Sequence, residues 1–208
     1  MKNEVKSYLF VDGSNLYAGQ YEAFGPEKIL DFSQFVSQIE TIHNTHFEKI
    51  FVYASFSPRN NKPSRHQIEY LTNEALFFRS VRAHKAVNFF KGYRSVDGKE
   101  KLVDVQLAVD IVDKAHLQEY SHLYLCSGDA DYSHALEIAN RLKRKITMVS
   151  LSTRIPNRLS YLYKTTILKT TGKIPKLNPH QHIKLVALDV KKSLISIKNP
   201  GKQAPRAS

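Results

Sequence analysis

Short apolar runs alternate along the chain with longer stretches in which apolar side chains recur every three or four positions. Tyr8-Leu9-Phe10-Val11 predicts a buried first strand, leading into a turn at Asp12-Gly13-Ser14-Asn15. Ile50-Phe51-Val52-Tyr53-Ala54, β-branched and aromatic, predicts a second strand. Alternation over 81–87 predicts a third near a sheet edge, and the runs 123–126 and 146–150 predict a fourth and a fifth. Helical periodicity fills 31–43, 65–78, 102–115 and 131–143. Strands alternating with helices imply an α/β fold, with a mostly parallel sheet covered by helices on both faces.

Composition adds a partner class to this picture. Of 208 residues 42% are hydrophobic, enough for a core in one medium-sized domain. The net charge of +12 favours polyanions, with nucleic acid the leading partner and an acidic membrane surface the second. A merely basic soluble protein would show the same count. The single cysteine, Cys126, lies in an apolar run and reads as a small buried hydrophobe. Residues 1–6 lack the apolar stretch of a signal peptide and no apolar run approaches a membrane span, so a soluble, cytoplasmic protein without a membrane partner is expected.

The composition shifts after Gly172, where 173–208 carries eight Lys and Arg against the single acid Asp189. The expected organisation is a domain over 1–172 and a basic, partly disordered extension over 173–208. Within the extension, Ile183-Lys184-Leu185-Val186-Ala187-Leu188 has the pattern of one short packed element, whereas 199–206 reads as disordered.

The candidate chemistry is carboxylate chemistry. In an open parallel sheet, ligands bind beyond the carboxyl ends of the strands where strand order reverses. The first predicted strand runs into Asp12, and the fourth runs through Ser127-Gly128 into Asp129, with Asp131 two residues on. If those strands are neighbours, the acids converge, and hard cations such as Mg2+ or Mn2+ take oxygen ligands of this kind. On the helix from Leu102, the one polar stripe is Gln106, Asp110 and Asp113, expected to face water. Asp104 lies about 160° round from Gln106, pointing inward, where an unpaired carboxylate is costly. Each acid also has a plainer reading: Asp12 as a turn residue, Asp131 as a helix N-cap, Asp104 as a dipole partner. Three independent positions on one sheet edge are harder to explain in that way.

Val11-Asp12-Gly13-Ser14-Asn15-Leu16, Lys101-Leu102-Val103-Asp104-Val105-Gln106-Leu107-Ala108-Val109-Asp110 and Ser127-Gly128-Asp129-Ala130-Asp131-Tyr132 resemble the three motifs of NYN domains, in the LabA-like branch of the PIN-like nucleases. The resemblance spans about residues 6–165. It implies a PIN-like three-layer sandwich with five parallel strands, a Mg2+ or Mn2+ site, and RNA cleavage as the commonest activity. It maps the acidic site onto Asp12, Asp104, Asp129 and Asp131, with Asn15 as a polar helper. Asp12 would be the central ligand, joined by Asp129; Asp104 and Asp131 would ligate directly or through water and help orient the nucleophile, and Asn15 and Ser127 would fix a ligand or a phosphate oxygen. The chain departs from the family pattern at Leu102, where glycine often precedes the Val-Asp pair, and at 158–163, which lacks the usual Ala-Asp-x-Phe. Asp110 recurs in the family pattern. Dimers are frequent among PIN-like nucleases, so a homodimer is an open expectation.

Nucleic acid would be gripped by cations and aromatics near the same edge. These are Arg59, Lys62 and Arg65 after the second strand, Lys91, Tyr93 and Arg94 after the third, and Arg154 and Arg158 after the fifth. Phe89 and Phe90 read as core residues rather than stacking platforms. RNA is the expected substrate and DNA the alternative. A haloacid-dehalogenase-type phosphatase would need a second aspartate where Ser14 stands. A non-catalytic nucleic-acid-binding module and a small-molecule phosphodiesterase are the other rivals.

Overall fold

The computed structural model describes residues 5–94, 100–151, 183–188 and 193–197. In chain order the elements are β1 (Ser7–Asp12), α1 (Gly13–Phe24), β2 (Lys28–Leu30), α2 (Phe32–His43), β3 (Phe47–Ala54), α3 (Arg65–Ala83), β4 (Val87–Lys91), β5 (Tyr93–Arg94), β6 (Glu100–Lys101), α4 (Val103–His116), β7 (His122–Cys126), a 3-10 turn (Ala130–Tyr132), α5 (Ser133–Arg141), β8 (Lys145–Leu151), β9 (Ile183–Leu188) and β10 (Leu194–Ser196).

Six strands form one sheet in the order β4-β3-β1-β7-β8-β9, and every neighbouring pair is parallel. Successive side chains of a strand point to opposite faces, and β1 shows what that does here. Leu9 and Val11 enter one core with Leu16 and Tyr17 of α1, Phe35 and Ile39 of α2, and Phe77, Phe78 and Val81 of α3. Tyr8 and Phe10 enter a second core with Val103, Leu107 and Ile111 of α4 and Leu136 of α5. The result is the expected α/β three-layer sandwich. The five strands anticipated from the sequence are consecutive in the sheet, and β9 adds a sixth.

Side chains start the helices where the sequence supplies them. Asp12, Asp31 and Ser64 cap α1, α2 and α3 by accepting the backbone N–H of Asn15, Gln34 and Gln67. Two local readings are corrected. The third strand is Val87–Lys91, not 81–87, because α3 continues to Ala83 and its face at Phe77, Phe78 and Val81 is buried against the sheet. The turn at 12–15 is the start of a twelve-residue helix, α1, whose Ser, Asn and two Gly positions hide the helical period.

The segment expected to pack as one short element does so. β9 pairs with β8 from Ile146↔Ile183 to Leu151↔Leu188. β10 then pairs antiparallel with β2, flanked by hydrogen bonds from Asp31 N–H to the Ser193 carbonyl (2.7 Å) and from Ile197 N–H to the Glu27 carbonyl (2.8 Å). The region 199–206, expected to be disordered, lies outside the described residues. Among the described residues no helix is long and apolar enough to cross a membrane.

A chain ending at Gly172 would lose both strands and bare the edge of β8. Its melting temperature should fall by at least about 5 °C in a thermal unfolding scan. An unchanged value would contradict the place of β9 in the sheet.

Candidate active site

β1 feeds its crossover toward β3, and β7 feeds its own toward β8, so the strand order reverses between β1 and β7. Their carboxyl ends meet there, with Val11 opposite Cys126. Asp12, 4% exposed, is the last residue of β1 and the cap of α1. Its Oδ1 accepts the Asn15 backbone N–H at 2.9 Å. Its Oδ2 accepts the hydroxyls of Ser127 and Tyr132, each at 3.2 Å. Burial of a carboxylate is costly unless donors replace its water, and these three supply that replacement.

Asn15 ties the two strand ends together, because its Oδ1 accepts the Gly128 N–H at 3.1 Å. Ser127 Oγ, while donating to Asp12, accepts the Asp129 N–H at 3.1 Å. Asp129 in turn accepts the Asp131 N–H on Oδ1 at 3.0 Å. The capping role considered for Asp131 is not realised: α5 has Tyr132 at its N-cap position with no side-chain hydrogen bond, Asp129 serves only the 3-10 turn before it, and Asp131 itself is exposed. Asp104 lies on the first turn of α4 and accepts the Tyr132 hydroxyl on Oδ1 at 2.9 Å.

Tyr132, 1% exposed, is the group that motif reading missed. One phenol oxygen lies within hydrogen-bonding reach of Asp12 and Asp104, which come from different layers of the fold. Its pKa is raised far above the phenol range, first by burial and then by the charges of Asp12, Asp104 and Asp129, so the hydroxyl keeps its proton and acts as a donor. Burial and the neighbouring Asp12 likewise push the Cys126 thiol up and keep it inert, in line with its reading as a buried hydrophobe.

The helical-wheel reading of α4 is half right. Asp104 shares the angular sector of Leu107 and Ile111, yet it sits past the strand ends and is exposed, so its role does not follow from a burial cost. The stripe expected to face water does so only at Asp113, which is exposed, whereas Gln106 and Asp110 are half-buried. Asp110 accepts the hydroxyl of buried Tyr53 and the Gln106 side-chain amide, and it pairs with Lys114. Val105 and Val109, at 63% and 54%, are exposed on the same side as Asp113.

A divalent cation needs oxygen donors facing a common point. Asp12 and Asp104 meet that condition as a pair, since both reach one atom, and Asp129 is near enough for its charge to act on the same phenol. The donor chemistry fits Mg2+ or Mn2+. Among the described residues, however, no three acid, imidazole or thiol groups already stand as an ion cage.

Of the candidate nucleic-acid contacts, Arg59, Lys62 and Arg65 are exposed on and just after the loop that leaves β3. That loop is held at its root by Glu74 of α3, which accepts the Ser57 hydroxyl at 2.7 Å, and by the Ser55 N–H bond to Ser14 Oγ at 3.3 Å. Lys91 ends β4, with its ammonium 5.3 Å from the Phe56 ring centroid, and Tyr93 is 59% exposed on β5. Phe89 and Phe90 pack against the two cores, as expected. The backbone of Arg94 lies in β5; Arg154 and Arg158 lie outside the described residues.

The family model for the NYN domain matches residues 6–163. No curated protein matches the chain. Among solved structures, the crystal structure of a protein of unknown function from Vibrio parahaemolyticus aligns with a TM-score of 0.55 at 20% identity, covering 94% of this chain and 99% of that one. At that identity the likeness speaks for the fold.

Leu102, just before α4, adopts φ 69°, ψ −19°, a left-handed conformation that favours glycine. The departure at this position therefore places a branched side chain where the backbone resists one, at a cost of about 1–2 kcal/mol. Its side chain is 49% exposed, so little packing is at stake. Leu102→Gly should raise stability by up to about 1 kcal/mol, after the greater freedom of glycine in the unfolded chain is set against the relieved strain. Denaturant titration measures this, and a clear loss of stability would refute the strained assignment.

Proposed function

Because this chain belongs to the NYN domain family, we propose that it is a metal-dependent nuclease of the PIN-like superfamily, and more narrowly an RNA-hydrolysing enzyme of its LabA-like branch. The observation that carries the reading is the convergence of Asp12 and Asp104 on one phenol oxygen at the β1–β7 switch point, with Asp129 beside them. A binding surface for polyanions has no use for carboxylates at that focus.

Asp12 and Asp104, joined by Asp129, are the residues that would hold Mg2+ or Mn2+, with Asp131 at the exposed margin. Such an ion, when bound, lowers the pKa of a water and offsets charge on the phosphate. The rest is the work of the chain. The donors from Asn15, Ser127 and Tyr132 fix the Asp12 carboxylate against rotation. Asn15 holds the Gly128 backbone and so sets the position of Asp129. The Asp104 oxygen that does not face Tyr132 would take the proton of an attacking water. Water attack on phosphorus with loss of the 3′-oxygen leaves 5′-phosphate and 3′-hydroxyl ends. Arg59, Lys62, Arg65 and Lys91 would neutralise flanking phosphates, and Tyr93 would stack on an unpaired base.

One observation favours a second reading, a non-catalytic nucleic-acid-binding module: no three metal-binding groups stand preassembled among the described residues. Labelled single-stranded RNA, structured RNA and single-stranded DNA, incubated with Mg2+ or Mn2+, separate the two. Cleavage should appear with the wild type and fall about 100-fold or more in Asp12→Asn and Asp129→Asn. Equal cleavage by these variants would sink the site assignment. Tight RNA binding without cleavage of any substrate would favour the binding module, and a preference for the DNA strand would overturn the choice of RNA.

The cationic loop has its own test. Replacing Arg59, Lys62 and Arg65 together by alanine should weaken single-stranded RNA binding and flatten its salt dependence by about 0.7 log units per lost phosphate contact. An unaltered slope would remove these three residues from the interface.

A further inference from the structure

Asp12 and Asp104 are held very differently, and the difference gives Tyr132 a role. Asp12 is buried, and two of the donors it receives, the Asn15 N–H and the Ser127 hydroxyl, are independent of Tyr132. Asp104 is exposed, on the first turn of a helix whose cap, Leu102, offers no side-chain hydrogen bond. Among the described residues, the Tyr132 hydroxyl is the only side-chain group bonded to the Asp104 carboxylate.

We propose that Tyr132 is a positioning residue that fixes the exposed carboxylate of Asp104 beside the buried carboxylate of Asp12, so that the two present one divalent-cation site rather than two separate acids. This rests on the metal-dependent reading given above. The ring of Tyr132 is locked in the core with Val103 and Leu107 of α4, and its backbone belongs to the 3-10 turn that follows Asp129. The phenol oxygen is therefore a fixed point, whereas the side chain of Asp104 has rotamers open to solvent. A donor on a fixed point selects the rotamer that faces Asp12. Two like charges drawn together repel, and a single shared hydroxyl offsets part of that repulsion until a cation arrives.

The role predicts an asymmetry. Loss of the hydroxyl leaves Asp12 anchored and releases Asp104 alone. Tyr132→Phe keeps the buried ring, and its effect should mimic part of the loss of Asp104 without adding to it. Mn2+ affinity, followed by electron paramagnetic resonance on the full chain without nucleic acid, is the readout. Tyr132→Phe should weaken Mn2+ binding about tenfold, with a folded circular dichroism spectrum. The double variant Tyr132→Phe/Asp104→Asn should bind no more weakly than Asp104→Asn alone. Placing 4-aminophenylalanine at position 132, which returns a para N–H donor, should restore affinity.

Wild-type affinity in Tyr132→Phe, or losses that add in the double variant, would overturn the positioning role and leave the nuclease reading standing. If Asp12→Asn leaves Mn2+ binding of the wild type unchanged, the metal site and the role of Tyr132 both fall. Should Tyr132→Phe fail to fold, the 4-aminophenylalanine protein decides alone: wild-type Mn2+ affinity supports the role, and a lower affinity overturns it.

Discussion

The pairing of β1 along both of its edges, with β3 on one side and β7 on the other, is the constraint from which the site follows. A strand buried on both faces and both edges leaves one place where its chain can turn, at the carboxyl end where the crossovers part. The first side chain past the core is a carboxylate, Asp12. It is still buried there, so the neighbouring segments must deliver donors to it. α1 supplies a backbone N–H, the β7 loop supplies Ser127, and the 3-10 turn supplies Tyr132. Each of these segments is thereby pinned at the same edge, and the acids they carry or touch come with them.

What the sequence reveals about this arrangement depends on the range of the interaction. β1, β3, β7 and β8 are legible because a strand buried on both faces must be apolar throughout, a property of adjacent residues. β4 is misread because the stretch from the last turn of α3 to the first residue of the strand alternates apolar Val81, Ala83 and Val87 with polar positions, and only the fit of Val81 beside Phe77 and Phe78 decides between helix and strand. α1 escapes notice because Gly13 is needed for close approach to Ala54, Val52 and Phe78, each 3.1 Å from where a Cβ would stand, and a glycine-containing start weakens the helical signal. The β2–β10 pairing joins segments at opposite ends of the chain and leaves no local trace beyond an apolar run.

The candidate site follows the same rule. Asp12 and Asp129 can be found from strand ends, and Asn15 and Ser127 from the motifs around them, because each acts within a few residues of a strand end. Asp104 is reached by a wheel argument whose angle is right and whose energetic premise is wrong, since Asp104 is exposed even though Val103 beside it and Leu107 one turn on are buried. Tyr132 is invisible to that reasoning. An aromatic next to an acidic motif reads as packing, and its hydroxyl acquires meaning only through partners 28 and 120 residues away. Asp110 illustrates the converse, a carboxylate in the family pattern whose partners Tyr53 and Lys114 place it in the α4–sheet contact.

The charge pattern carries the functional argument one step further. The chain bears a net +12, with exposed cations at Arg59, Lys62, Arg65 and Lys91 on the edge where the strands end. Acids occupy the middle of that edge. For a surface whose task ends with holding a polyanion, this layout is self-defeating, because Asp12 and Asp104 repel the phosphates that the surrounding cations attract. Removing the acids would serve such a surface better. The layout makes sense where a phosphate must be brought to a point of negative charge together with a positive ion that both sides share. On the proposed reading, the basic rim would set how strongly a polyanion is held, and the carboxylates would set where along it a bond is exposed to attack.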